Sequence, residues 1–182
     1  DHPVQRAVRD ALCRCCGVEE TSLQSGIDGC CAPNYALPIQ ALARGMAALA
    51  VPSTLPPAMD AAARRLHGAV RAHPLLGSGH GRADALMIGK AAFAATTKAG
   101  AEGIHCAIIP GLGMGVAVKI DDGAGRAAET VIASVLAALG VLDANDPDIA
   151  ALVKAPLFNT GGDMVGERRV APAITDTFRR LR

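Results

Sequence analysis

Aromatic side chains are scarce in this chain of 182 residues, which has no tryptophan, one tyrosine and three phenylalanines. Proteins that bind single-stranded nucleic acid stack bases on such rings and attract the phosphates with an excess of basic residues. Here the formal net charge is only +1. The composition excludes both a stacking platform and a strong electrostatic attraction, so we expect no nucleic-acid partner.

Long apolar runs are also lacking, although 51% of the residues are hydrophobic. The stretch from Val131 to Val141 is broken by small or polar residues and is too short to span a bilayer. Residues 1–4 do not show the basic start and apolar block of a signal peptide. We therefore expect no membrane partner and a cytoplasmic location.

Cysteine spacing argues against a disulfide scaffold. Three of the six cysteines fall within Cys13–Cys16, and Cys30 and Cys31 are adjacent, which suits reduced thiols. Cys13 and Cys16 would share one face of a helix, as a metal pair requires. Because no second cysteine pair follows at zinc-finger spacing, burial of these two thiols is the favoured interpretation.

A serine–lysine nucleophile pair is missing as well. None of the five serines is followed three residues later by lysine, the spacing that places both side chains on one helix face. Lysine itself is rare, with four residues against fourteen arginines. Lys98 lies in Thr-Thr-Lys-Ala-Gly, which is similar to the Lys-Thr-Gly strand beside the active site of serine β-lactamases. Cys30 with His80 or His105 remains an alternative nucleophile pair.

Reactive residues are densest between Gly26 and Asn34, where Gly-Ile-Asp-Gly-Cys-Cys-Ala-Pro-Asn predicts a rigid turn. Such a turn can hold Asp28 and Cys30 in fixed directions. The rest of the chain predicts an α/β (α+β) fold, in which an antiparallel sheet is flanked by helices. The predicted helices are 3–16, 36–51, 58–72, 83–89, 126–139 and 147–154, the predicted strands are 92–98, 103–109, 113–121 and an edge strand at 168–171, and residues 75–82 are a predicted loop.

Four stretches, taken in order, resemble the bacterial type II asparaginases of the Rhizobium etli kind. They are Gly-Ile-Asp-Gly-Cys-Cys-Ala-Pro-Asn-Tyr-Ala-Leu-Pro at 26–38, Gly-His-Gly-Arg-Ala-Asp-Ala-Leu-Met at 79–87, Lys-Ala-Gly-Ala-Glu-Gly at 98–103 and Val-Ala-Val-Lys-Ile-Asp-Asp-Gly at 116–123. The resemblance implies a fold similar to serine β-lactamases and glutaminases. It also implies an amidohydrolase that releases ammonia from L-asparagine, a small-molecule amide, with serine and lysine residues.

The resemblance assigns roles to single residues. Lys98 would be the catalytic strand lysine that pairs with a serine, and Asp28, Asp84 and Arg82 would bind substrate. Cys30 would supply one ligand of a zinc ion, whose other ligands would come from an upstream Cys-x-x-Lys segment. No organic cofactor is implied. Cys31 and Ala83 depart from the family pattern, which points to a wider pocket or another amide.

The resemblance also implies that residues 1–182 correspond to the C-terminal half of an asparaginase-like domain. Residues 1–91 would form a mainly helical part, and residues 92–182 would form the sheet with the C-terminal helices. We expect the Ser-x-x-Lys nucleophile to come from a missing N-terminal half or a second chain, and this chain alone to be inactive. We also expect a homo-oligomer. A non-catalytic domain that binds a metal or ligand is the alternative function.

Overall fold

The computed structural model describes residues 2–180 and contains eight α-helices and seven β-strands within them. The helices are α1 (Pro3–Cys16), α2 (Ile39–Ala50), α3 (Pro57–Ala72), α4 (Pro74–Ser78), α5 (Ala83–Lys90), α6 (Gly125–Ala138), α7 (Pro147–Val153) and α8 (Pro172–Arg179). The strands are β1 (Gln24–Ile27), β2 (Pro33–Ala36), β3 (Thr96–Ala99), β4 (Ile104–Ile109), β5 (Met114–Lys119), β6 (Ala155–Phe158) and β7 (Met164–Arg168).

The largest sheet is an antiparallel meander in the order β3-β4-β5, as predicted. Its register pairs Thr97 with Ala107 and Ala107 with Val116, and these three buried residues face the same side. Side chains alternate across a strand, so Lys98 and its partner Cys106 face the opposite side. The mixed α+β architecture predicted from the sequence is confirmed.

Helices cover both faces of this sheet. Helix α6 packs on the side of Ala107 and Val116, where its apolar stripe forms the core with α5 and α7. Helix α2 packs on the other side, directly against β5. This approach requires Gly115, because a Cβ there would lie against the backbone of Ala43 and Ala47. The small-residue helix α2 is therefore held at backbone contact with the sheet.

The dense stretch between Gly26 and Asn34 forms the tip of a β-hairpin, in which β1 pairs with β2. The predicted turn is present, but strands flank it, whereas helical stretches were predicted on both sides. Tyr35 pairs with Ser25 in this ladder, and Pro38 occupies the N-cap of α2. Helix α2 consequently begins at Ile39, three residues later than predicted.

Three other predicted boundaries are wrong. The predicted loop at 75–82 contains the short helix α4, with Pro74 in its first turn. Strand β3 begins at Thr96, because the Ala92 N–H donates to the carbonyl of Val141 (2.9 Å) instead of entering the ladder. The predicted edge strand at 168–171 lies earlier, at Met164–Arg168, where it pairs with β6 in a separate hairpin that the sequence analysis missed.

Two further predictions concern thiols and membranes. All six cysteines are free, as predicted, with Cys16 and Cys106 buried and Cys30 and Cys31 exposed. Within residues 2–180, the structure has no helix with the length and apolar character needed to cross a membrane.

Candidate functional site

Lys98 lies at a cavity between the sheet and helices α2 to α5. The cavity has a volume of about 280 Å³, and its wall is mostly aliphatic. Strand register explains why Lys98 faces it, since Thr96 and Lys98 share a face with Ile108 and Cys106. The lining residues are Met46, Val70, Pro74, Gly77, Ser78, Ile88, Thr96, Thr97, Lys98, Cys106 and Ile108.

Polar groups around this cavity are mostly bonded to the protein. The Ser78 hydroxyl donates to the carbonyl of Pro74 (3.0 Å), and the Thr96 hydroxyl lies 3.2 Å from Nδ1 of His67. Lys98 is exposed, and its Nζ donates to the carbonyl of Ala99 (2.6 Å). In the described part of the chain, no carboxylate forms an ion pair with Lys98. Its side-chain amine is therefore available to a bound molecule.

Asp84 lies in the first turn of α5. It contacts the buried face of β3, the strand that carries Lys98. Its Oδ1 accepts hydrogen bonds from the Thr97 hydroxyl and from Nε2 of His105, both at 2.7 Å. Its Oδ2 accepts the backbone N–H of Ala99 at 3.0 Å. Asp84 is only 3% exposed and His105 only 1%. This carboxylate therefore joins α5, β3 and β4.

Asp84 remains ionised despite its burial. Burial by itself raises the pKa of a carboxyl, but the hydrogen bonds from His105, Thr97 and Ala99 outweigh it and hold the pKa of Asp84 at about 2. The α5 N-terminus adds a favourable field, since negative charge is stabilised in the first turn of a helix. All three donors come from the protein, which leaves Asp84 no direct route to a ligand in this arrangement.

The hairpin loop containing Asp28 and Cys30 is exposed and is held together only locally. Oδ1 of Asp28 accepts the N–H groups of Cys30 (2.9 Å) and Ala32 (3.1 Å). The N–H of Cys31 donates to the carbonyl of Asp28 (3.0 Å), and Cys31 adopts a φ of 59°. Asp28 thus shapes the loop and presents the Cys30 thiol to solvent.

Arg82 lies apart from both the Lys98 cavity and the hairpin loop. It is the exposed N-cap residue of α5 and lines a separate cleft with Glu129 and Leu152. Asp84 is hydrogen-bonded to β3, the strand that carries Lys98. Arg82, two residues earlier, lines a different cleft. Among residues 2–180, no hydrogen bond or ion pair links the loop of Asp28 and Cys30 to Lys98, Asp84 or Arg82.

The sequence model of the L-asparaginase II family matches residues 1–170 of this chain. The chain belongs to the L-asparaginase II family. A search of curated proteins found no significant match. The match covers the hairpin loop, the cavity and the Asp84 cluster together, so all the residues described above fall within the L-asparaginase II sequence pattern.

A zinc ion does not fit the described residues of this L-asparaginase II chain on their own. Structural zinc takes four ligands, and catalytic zinc takes three protein ligands. In the part of the chain that the structure describes, no three His, Cys, Asp or Glu side chains are grouped so as to hold a metal ion. The hairpin loop exposes three donor side chains, Asp28, Cys30 and Cys31, but they are not grouped around one point in the described residues. Either class of site would need further donors.

Sequence reasoning missed Ser78 in the cavity and the roles of Thr97 and His105. The signal for His105 was its place in Ile-His-Cys-Ala-Ile-Ile, because a polar side chain in a buried strand requires a partner. The alternative pair of Cys30 with His105 is wrong. His105 is buried against Asp84, whereas Cys30 is exposed on the hairpin.

Proposed function

We propose that this chain contributes Lys98 to an asparaginase-type site that hydrolyses a small-molecule amide, with L-asparagine as the first candidate. The observation that supports the proposal is the position of Lys98, which lines a cavity and whose amine has no carboxylate partner among residues 2–180. Family membership supports amide hydrolysis as the reaction class. A primary amide bound in this cavity would lie beside the Lys98 side chain.

The proposed reaction has two halves. A serine oxygen bonds to the amide carbon while a lysine amine takes the hydroxyl proton, and the carbon–nitrogen bond then breaks. The leaving nitrogen accepts the proton from the lysine and departs as ammonia. Water next attacks the resulting ester, which releases aspartate and restores the serine hydroxyl. Lysine therefore acts as a proton carrier in both halves.

The serine is proposed to come from outside these 182 residues, from another segment or a second chain. None of the five serines stands three residues before a lysine. Ser78 lines the same cavity as Lys98, but its hydroxyl donates to Pro74 within α4. Ser78→Ala is accordingly expected to leave asparagine turnover unchanged. We propose, on the same grounds, that the active enzyme is an oligomer or a longer chain.

The remaining predicted residues complement the charges of asparagine. Arg82 could complement the substrate carboxylate and Asp28 the substrate ammonium. Arg82 lines a separate cleft and Asp28 lies on the hairpin loop, so we propose that they meet the substrate of Lys98 once the rest of the enzyme is assembled. Cys30 is proposed as one zinc ligand, with the other donors supplied from outside the described residues. Metal analysis of the completed enzyme tests this, because zinc is expected in the wild type and its loss is expected in Cys30→Ser.

Ammonia release from L-asparagine tests the function. We expect no turnover from the 182 residues alone and turnover once a segment with Ser-x-x-Lys is joined to them or added. The alternative is a non-catalytic domain that binds a metal or ligand, which the missing Ser-x-x-Lys motif favours. Zinc binding without turnover in both preparations would support that alternative, whereas turnover by these 182 residues alone would refute the shared site.

A further inference from the structure

Asp84 holds the strand residues on either side of Lys98. Its Oδ1 accepts the hydroxyl of Thr97, and its Oδ2 accepts the backbone N–H of Ala99. The same carboxylate also binds His105, which pairs with Ala99 across the ladder. Lys98 therefore lies between Thr97 and Ala99, and both of these neighbours are hydrogen-bonded to the buried carboxylate of Asp84.

Strand β3 needs such support because it is short and lies at the edge of the sheet. It has four residues, and only β4 pairs with it. The N–H of Ala99 points away from β4, so without Asp84 this partly buried edge would leave a donor unpaired. An unsupported edge strand would allow the backbone beneath Lys98 to shift.

Because side chains alternate across a strand, the position of the β3 backbone sets the direction in which Lys98 points. Thr97 points towards Asp84, and Lys98 points towards the opposite face, where it reaches the cavity. A shift or twist of β3 would move the Lys98 amine relative to a substrate in that cavity. Misplacement by about 1 Å in an active site can cost about 100-fold in rate.

We infer that Asp84 is a positioning residue, which acts through Thr97 and Ala99 to fix the direction of Lys98 and does not touch substrate. This inference rests on the proposed function, because it needs Lys98 to take part in the reaction. It assigns Thr97 and His105 to the same supporting cluster. It also replaces the substrate contact that the sequence pattern predicted for Asp84.

The test compares two substitutions of Asp84 in the preparation that hydrolyses asparagine. In Asp84→Asn, the amide oxygen can still accept from Ala99, while the amide NH₂ donates to the Thr97 oxygen and to Nε2 of the other His105 tautomer. The cluster is kept without its charge, although Nδ1–H of His105 becomes a buried donor. Asp84→Ala removes all three bonds.

We expect kcat to fall about 100-fold in Asp84→Ala with KM little changed, and to be largely retained in Asp84→Asn. Thr97→Val removes one of the two supports and should give an intermediate kcat. Asp146→Ala is the control for general destabilisation. It removes the α7 N-cap and the contact with Lys90 (2.6 Å), which lies at the end of α5 opposite Asp84, and should lower the melting temperature without changing kcat.

Hydrogen exchange at the Ala99 amide reports the geometry without turnover, and it can be measured on Asp84→Asn and Thr97→Val if Asp84→Ala does not fold. Protection is expected in the wild type and in Asp84→Asn. If Asp84→Asn folds and protects Ala99 but is as inactive as Lys98→Ala, the charge acts directly on the reaction and the inference is wrong. Wild-type kcat in Asp84→Ala, or in Thr97→Val where Asp84→Ala does not fold, would also overturn it.

Lys98→Ala separates the two claims. Full activity of this variant would refute the role of the lysine itself, and with it the proposed function. An inactive Lys98→Ala variant beside fully active Asp84→Ala and Thr97→Val variants would refute only the positioning role.

Discussion

Asp84 and Asp28 are two carboxylates that accept hydrogen bonds in very different surroundings. Asp84 accepts three hydrogen bonds from two strands and is 3% exposed. Asp28 accepts two hydrogen bonds from its own hairpin loop and is exposed. Both residues belong to stretches that carry the resemblance to the asparaginases. Only Asp84 joins elements that are distant in the sequence, whereas Asp28 orders five residues of one loop.

The difference shows what each region can do without additional partners. The sheet edge around Asp84 is complete, since every oxygen of the carboxylate has a donor and the strand beneath Lys98 is supported. The hairpin loop presents two thiols and a carboxylate oxygen outwards, but these donors are not grouped so as to hold a metal. The first region can position a reacting group with residues of this chain, whereas the metal site proposed for the second would need donors from elsewhere.

The largest contrast is expected when each carboxylate is removed. Asp84→Ala leaves two buried donors and one partly buried donor without an acceptor and should lower the free energy of unfolding by about 3–5 kcal/mol. Asp28→Ala releases donors that water can reach and should cost less than about 1 kcal/mol. Urea unfolding of both variants measures this. Equal losses would show that the two regions do not differ as described.

Glycine substitutions compare packing inside the sheet with packing in the exposed hairpin. Gly115→Ala forces a Cβ into the backbone of α2 and should destabilise the protein by about 3 kcal/mol or more. Gly26→Ala, in β1 of the exposed hairpin, meets no atom within 4 Å and should be neutral or stabilising by up to about 1 kcal/mol. Thermal unfolding of the pair checks the prediction. A well-tolerated Gly115→Ala would contradict the close contact of α2 with β5.

Acid should weaken the sheet edge through Asp84. Its pKa of about 2 in the folded protein lies below its ordinary value of 3.8, so the folded state binds the proton less readily than the unfolded state. The stabilisation is therefore complete above about pH 4 and is lost as the pH falls through about 2. Between pH 5 and pH 2, the wild type should lose about 2 kcal/mol more stability than Asp84→Asn. Parallel losses in both proteins would argue against an ionised Asp84.

The smallest effect is expected at Cys30. Its thiol is exposed and packs against no core element, so Cys30→Ser in metal-free buffer should change the free energy of unfolding by less than about 0.5 kcal/mol. Alkylation should also reach Cys30 before Cys106, because burial raises the pKa of the Cys106 thiol to about 11. Mass spectrometry after brief labelling measures the order, and first labelling of Cys106 would contradict it.

Periodicity was sufficient to predict most of the core elements. The meander and the helices α1, α3, α6 and α7 follow from apolar spacing and from prolines and glycines at their ends, so local preference and tertiary packing agree there. The hairpins β1–β2 and β6–β7 were not predicted. Their strands are four or five residues long and largely exposed, and they carry little of the alternation that marks a half-buried strand.

The candidate site was predictable in its residues but not in its geometry. Motifs named Lys98 and Asp84, and the predicted strand 92–98 placed Lys98 at the end of a strand. Sequence could not show that Asp84 binds Thr97, Ala99 and His105, because these contacts depend on how α5 docks against the edge of the sheet. The cavity could not be predicted either, because its wall is formed by four helices and two strands that only tertiary packing brings together.

Asparagine turnover by Lys98→Ala and by Lys119→Ala, measured in the preparation completed with a Ser-x-x-Lys segment, decides whether Lys98 takes part in the reaction. The two lysines are matched, since both are exposed on strands of one sheet and both donate to the carbonyl of the next residue. The account predicts that Lys98→Ala lowers kcat by at least about 100-fold, whereas Lys119→Ala keeps the wild-type rate. Wild-type ammonia release by a folded Lys98→Ala protein would contradict it.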